Sequence, residues 1–141
     1  MSDVETEPAM PELSGRGPEF LEFWRERRLA TLSTVRSDGT PHVVPVGVTL
    51  DAEAGLARVI TSGDSHKARQ VLAAGPAGAA VAVCQVDGRR WSTLEGRAIV
   101  RADADSVADA ERRYAERYRT PRVNPRRVVL EITVSRVLGN L

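Results

Sequence analysis

The chain has 141 residues, 42% of them hydrophobic and 28% charged, with a formal net charge of +1. That length favours one domain with one core, large enough to need no disulfide staples. The balanced charge speaks against a nucleic-acid partner, the single cysteine, Cys84, excludes an intramolecular disulfide, and no apolar run reaches the roughly 20 residues of a membrane span.

Residues 1–16 are polar and rich in Pro, Glu and Ser. They read as a tail outside the folded domain, which then spans 17–141. No secretory leader is visible, so the cytoplasm is the expected location. "GPEFLEFWRERR" opens the domain with a short helix, Pro18 near its start and Phe20, Leu21, Phe23 and Trp24 as apolar contacts. Three strands follow, at 29–36, 41–50 and 56–61, separated by the turns "SDGT" and "DAEAG" and expected to form a meander. Pro45 marks an edge or a bulge. A helix from Ser65 to Ala74 is closed by "AGPAG". A fourth strand covers 79–86, with Cys84 expected as a small core hydrophobe. The turn "DGRR" leads to a fifth strand at 91–102, where Gly96 signals a bend or a close backbone approach. Val107, Ala110, Tyr114 and Tyr118 set a helical period over 105–118. "RTPRVNPRR" is a stiff basic connection to a sixth strand at 128–139. Six strands, hairpin turns and flanking helices predict a mainly β, α+β fold: a small antiparallel barrel.

Three clusters could carry chemistry. Thr61, Ser62, Gly63, Ser65, His66 and Lys67 end a strand and begin a helix, and Lys67 is the one lysine among 20 basic residues. The first N–H groups of a helix lack partners and carry partial positive charge. With hydroxyl donors and an ammonium beside them they would hold a phosphate or carboxylate. A plain N-cap at Ser65 with a solvated Lys67 is the competing reading. Arg89, Arg90 and Trp91 at a hairpin tip could clamp a flat ligand or an anion, or Trp91 could simply fill the core. Arg119, Arg122, Arg126 and Arg127, stiffened by Pro121 and Pro125, could grip a carboxylate-rich ligand at reduced entropic cost, or serve only as solvated charge. Conventional catalytic sets are missing. His42 and His66 lack the clustered partners of a metal site, and Cys84 in a strand is a poor nucleophile. Any enzymatic reactivity would therefore come from a cofactor.

"RLATLSTVRSDGTPHVVPVGVTLD", "ARVITSGDSHKARQV" and "VDGRRWSTLEGRA" resemble the pyridoxamine 5'-phosphate oxidase-like split β-barrel family over residues 18–139. "QVDGRRWSTLEGRA" and "ERRYAERYRTPRVNPRRVV" are closest to its flavin/deazaflavin oxidoreductase branch that uses coenzyme F420, in the F420-dependent biliverdin reductase group. The resemblance implies a six-stranded split barrel, a homodimer and cofactor sites at the subunit interface. It implies that Thr61, Ser62, Ser65, His66 and Lys67 hold the cofactor phosphate, that Ile60 also contacts the cofactor and that Val44, Pro45 and Val46 line its ring. Gln85, Val86, Arg90 and Trp91 would complete the site from the other subunit, with Arg126 as a further anion contact. Arg89, Arg119 and Arg122 would hold the propionates of a planar conjugated tetrapyrrole, and F420 would supply a hydride. FMN as the cofactor, in a flavin reductase or oxidase, and a non-catalytic F420 or tetrapyrrole carrier are the alternatives. The chain ends soon after the last strand, without the extension the parent oxidase uses, so pyridoxamine phosphate oxidation is not expected.

Overall fold

The computed structural model describes residues 12–141. A 3-10 turn, Leu13–Gly15, precedes helix α1, Pro18–Phe23. Strands β1, Ala30–Val35, β2, Pro41–Val46, β3, Thr49–Asp51, and β4, Leu56–Ser62, lead to helix α2, His66–Ala73. Strands β5, Ala79–Asp87, and β6, Arg90–Arg101, are followed by helix α3, Ala104–Arg117, and strand β7, Arg127–Gly139. All pairings are antiparallel, and one seven-stranded sheet runs β2-β1-β5-β6-β7-β4-β3. Among the described residues no helix is long and apolar enough to cross a membrane.

The expected third strand does not extend a meander. Residues 41–50 are two strands, broken at Gly47 and Val48, so the sheet has seven strands rather than six. β2 pairs with β1 at one edge of the sheet, and β3 pairs with β4 at the other. Only Gly47 and Val48 join those edges. A flat sheet of seven strands would place its edges about 29 Å apart at the usual strand spacing. Two residues reach about 10 Å at most. The sheet must therefore curl until its edges meet, which makes a barrel with a seam at Gly47–Val48.

The alternation along each strand shows what the barrel encloses. Val81, Val83 and Gln85 of β5 point inward, as do Ser92, Leu94 and Ala98 of β6. Cys84 falls on the opposite phase and is only half-buried, so it lies on the outer face and not in the core. α1 closes one end with Phe20, Phe23 and Trp24, all buried. The indole N–H of Trp24 donates to Ser92 Oγ at 3.1 Å. Leu13 is 0% exposed within the same core. The ordered fold therefore takes in part of the segment expected to be a tail, because a buried leucine ties residues 13–15 to it. The remainder of that tail, residues 1–11, lies outside the described residues.

Gly96 behaves as its sequence position suggested. A bulge interrupts the β6–β7 register between Glu95 and Gly96. A Cβ at Gly96 would sit 2.0 Å from the Thr133 carbonyl oxygen. Pro45 lies on an edge strand, where its missing N–H disrupts no ladder.

Candidate functional site

The seam is where α3 meets the barrel. Tyr118, the C-cap of α3, donates its hydroxyl to the Arg28 carbonyl at 2.7 Å and accepts the Val48 N–H at 3.2 Å. Arg117 turns inward. Its guanidinium donates to the Val48 carbonyl at 2.6 Å, to the Glu26 carbonyl at 2.7 and 2.9 Å, and to Gln85 Oε1 at 2.6 Å. Gln85 passes the connection on to the Phe23 carbonyl at 2.7 Å. Burial pushes the Arg117 guanidinium below its ordinary pKa. Its charge is met by carbonyl dipoles and by the ring faces of Trp24 and Tyr118, and among the described residues no carboxylate forms an ion pair with it.

This anchoring brings the end of α3 close against the seam. A Cβ at Gly47 would come within 2.8 Å of Tyr114 Cε2 and 3.1 Å of Tyr118 Cε2. Only glycine lets the two rings come this close. Tyr114 and Tyr118 stack with centroids 4.9 Å apart.

Beside the seam opens a cleft of about 520 Å³. Pro45, Val46 and Gly47 form one wall, and Ile60, Thr61, Ser62 and Lys67 another. The third wall is Tyr114 with the segment carrying Arg119, Thr120, Pro121, Arg122, Asn124 and Arg127. The cleft thus gathers residues that the sequence suggested for two roles, cofactor and substrate. Among the described residues four cations line it, and no carboxylate does. Arg127 is paired with Glu111 at 2.7 Å. Lys67, Arg119 and Arg122 form no ion pair among the described residues.

The N-terminus of α2 stands beside the Thr61, Ser62 and Lys67 wall of the cleft. Ser65 is the N-cap, accepting the Ala68 N–H at 3.2 Å. Thr61, itself buried, donates to Ser65 Oγ at 2.9 Å. Ser62 donates to Asp64 at 2.6 Å. That bond, first, and the nearby Arg126 guanidinium hold Asp64 below its usual carboxylate range. Asp64 pairs with Arg126 at 3.1 Å and so is turned toward a guanidinium. Lys67 is half-buried, and burial lowers its pKa. A half-desolvated ammonium with no acidic partner is costly unless an anion joins it. The Ser65 cap is present, and Lys67 is half-buried rather than fully solvated.

Other sequence candidates lie elsewhere. His66 lines a separate groove of about 700 Å³ with Arg36, Arg69 and Arg97. Val44 packs against the core. The Gln85 side chain is 0% exposed and committed to Arg117 and Phe23, so it is not in the cleft. Val86, Arg89, Arg90 and Trp91 sit on the β5–β6 hairpin. Arg90 binds Asp87 and Glu26, the Trp91 N–H donates to Asn140, and Val86 is 61% exposed. Gly47, Tyr114 and Asn124 were not expected here. Tyr114 matched the apolar period of α3 and read as core; Gly47, inside an apparent strand, was the one available signal.

The cleft's donor set fits a phosphorylated redox cofactor with a flat ring: an unpaired ammonium beside a capped helix start, with backbone of an edge strand opposite. Comparison with known proteins agrees. The family model for pyridoxamine 5'-phosphate oxidase matches residues 17–140. An F420H(2)-dependent biliverdin reductase of Mycobacterium tuberculosis (strain CDC 1551 / Oshkosh) is 58% identical over 122 residues, 86% of each chain. Among solved structures, a conserved hypothetical protein of Mycobacterium tuberculosis superposes with a TM-score of 0.72 at 21% identity, covering 94% of this chain and 89% of that one. An F420 reductase superposes with a TM-score of 0.65 at 23% identity, covering 82% and 93%. These two share the fold. The chain belongs to the pyridoxamine 5'-phosphate oxidase family of split β-barrel proteins.

Proposed function

We propose that this protein is an F420-dependent oxidoreductase that reduces biliverdin-IXα to bilirubin. The observation that carries this reading is the 58% identity, over 86% of the chain, to a biliverdin reductase that uses F420H(2). The cleft supports it chemically. Lys67 and the Ser65-capped start of α2 hold the cofactor phosphate. Pro45 and Val46 line its ring. Bound in reduced form, F420 supplies a hydride from its deazaflavin ring. Arg119 and Arg122, free of ion pairs, hold the two propionates of the tetrapyrrole. Arg126, beside Asp64, is a second-rank anion contact. The cleft walls exclude part of the solvent and orient both partners, which is the protein's share of the catalysis.

The second element of the reading is a homodimer. Val86, Arg90 and Trp91 lie outside the cleft of their own chain. On the hairpin they can complete a site only in another copy. Arg89 at the same tip would join them as a propionate contact. Exposed Val35 and Val43 accompany Val86 on the outer face of the sheet.

The test is direct. Purified protein is mixed with biliverdin and either reduced F420 or reduced FMN, and bilirubin formation is followed by absorbance. Bilirubin should appear with F420 and not with FMN. Turnover with FMN alone would assign the site to a flavin, and tight F420 binding without turnover would make the protein a carrier.

A further inference from the structure

Reducing a methine bridge between two pyrrole-type rings requires a hydride and a proton. The electron pair of the hydride forms the new C–H bond, the displaced π pair moves to a ring nitrogen, and that nitrogen must take up a proton. The hydride belongs to the cofactor, but the proton has no assigned source.

The cleft offers few donors. Among the described residues its lining contains no carboxyl and no imidazole. Arg119, Arg122 and Arg127 are guanidinium groups, which do not give up a proton in proteins. Lys67 stands at the proposed phosphate end, where its charge is needed. Thr61 and Ser62 are engaged with Ser65 and Asp64, and aliphatic hydroxyls are very weak acids. Tyr114 remains. Its ring is fixed from two sides, by Tyr118 at 4.9 Å and by the seam at Gly47. Tyr118 is in turn tied by its own hydroxyl to Arg28 and Val48. The Tyr114 hydroxyl, by contrast, forms no hydrogen bond with any described residue, although the ring lines a polar cleft. A rigid phenol kept without a partner suits a ligand rather than the fold.

We propose that Tyr114 is a catalytic residue: its phenol hydrogen-bonds the ring nitrogen of the conjugated acceptor and gives it the proton. The phenolic O–H bond breaks as the N–H bond forms, and the phenolate then regains a proton from water. Arg119, Arg122 and Arg127 in the same cleft stabilise the transient phenolate. The inference rests on the biliverdin-reductase reading.

Tyr114→Phe tests it, because the ring that touches Gly47 and Tyr118 stays in place. Titration of the cofactor-free protein with biliverdin, read by absorption, should show affinity weakened about 3- to 10-fold, the scale of one hydrogen bond. In steady state with reduced F420, kcat should fall about 100-fold or more while KM moves by no more than that change in affinity. The melting temperature should not change. An active wild type together with a Tyr114→Phe variant whose kcat lies within about threefold of it overturns the proton assignment. A wild type that makes no bilirubin overturns the biliverdin reading itself, and Tyr114's role with it.

Discussion

Lys67 is the one ammonium in a chain whose 19 other strongly basic side chains are guanidinium groups. It stands at the start of α2, half-buried and without an acidic partner among the described residues, as a phosphate contact would. Lys67→Ala should weaken cofactor affinity by about 1.5–3 kcal/mol, the scale of a charge-assisted hydrogen bond. Little change in melting temperature should accompany it, and titration calorimetry would show unchanged affinity if the phosphate sits elsewhere. The burial that depresses the Lys67 pKa also sets a pH dependence. In the free protein the ammonium deprotonates below the ordinary value of 10.5. The neutral amine cannot pair with a phosphate, so affinity should start to fall with rising pH earlier than an exposed lysine would allow. The Lys67→Ala variant should lack this component of the pH profile. Lys67, Arg119 and Arg122 could be found in the sequence because their signal is local: charge next to hydroxyls or prolines. Gln85 could not be interpreted that way. Its partners, Arg117 and Phe23, are 32 and 62 residues away in the chain.

Among the elements, α3 positions the cleft through its last turn. Tyr114 and Arg117 both lie on it, and Tyr118 caps it. Arg117→Ala would leave the Glu26 carbonyl and the Gln85 amide oxygen without their donor, and the Val48 carbonyl with only the more distant Tyr118 hydroxyl. At about 1–3 kcal/mol for an unsatisfied buried group, stability should fall by about 3 kcal/mol or more. Arg117→Lys should not recover it, because an ammonium cannot replace the planar fork. Urea unfolding measures both, and a loss below about 1 kcal/mol would show that water replaces the guanidinium. At this scale the sequence was a good guide to strands and helices. α2 was expected over 65–74 and spans His66–Ala73; α3 was expected over 105–118 and spans Ala104–Arg117. The break at Gly47–Val48 was missed because the apolar alternation of "PHVVPVGVTL" runs straight through it. What divides that stretch is pairing with β1 on one side and β4 on the other, and this pairing is non-local.

For the whole molecule, the proposed homodimer would use the outer face of the sheet. Val35, Val43 and Val86 are 57%, 56% and 61% exposed, apolar positions on the outer face that the proposed second copy would cover. If the proposed dimer completes the site, Val43→Glu should shift sedimentation toward monomer and weaken cofactor binding together. A species that is monomeric at all concentrations in the unmodified protein would remove the interface from the account. The seam has a broader consequence. Because a two-residue clasp both fastens the rim of the barrel and walls the cleft, the two cannot be adjusted independently. Prying the strands apart to admit a bulkier ligand would unbutton the cylinder itself. Broader substrate range should therefore evolve in the arginine-bearing connection after α3, which hangs outside the clasp, and leave Gly47 untouched.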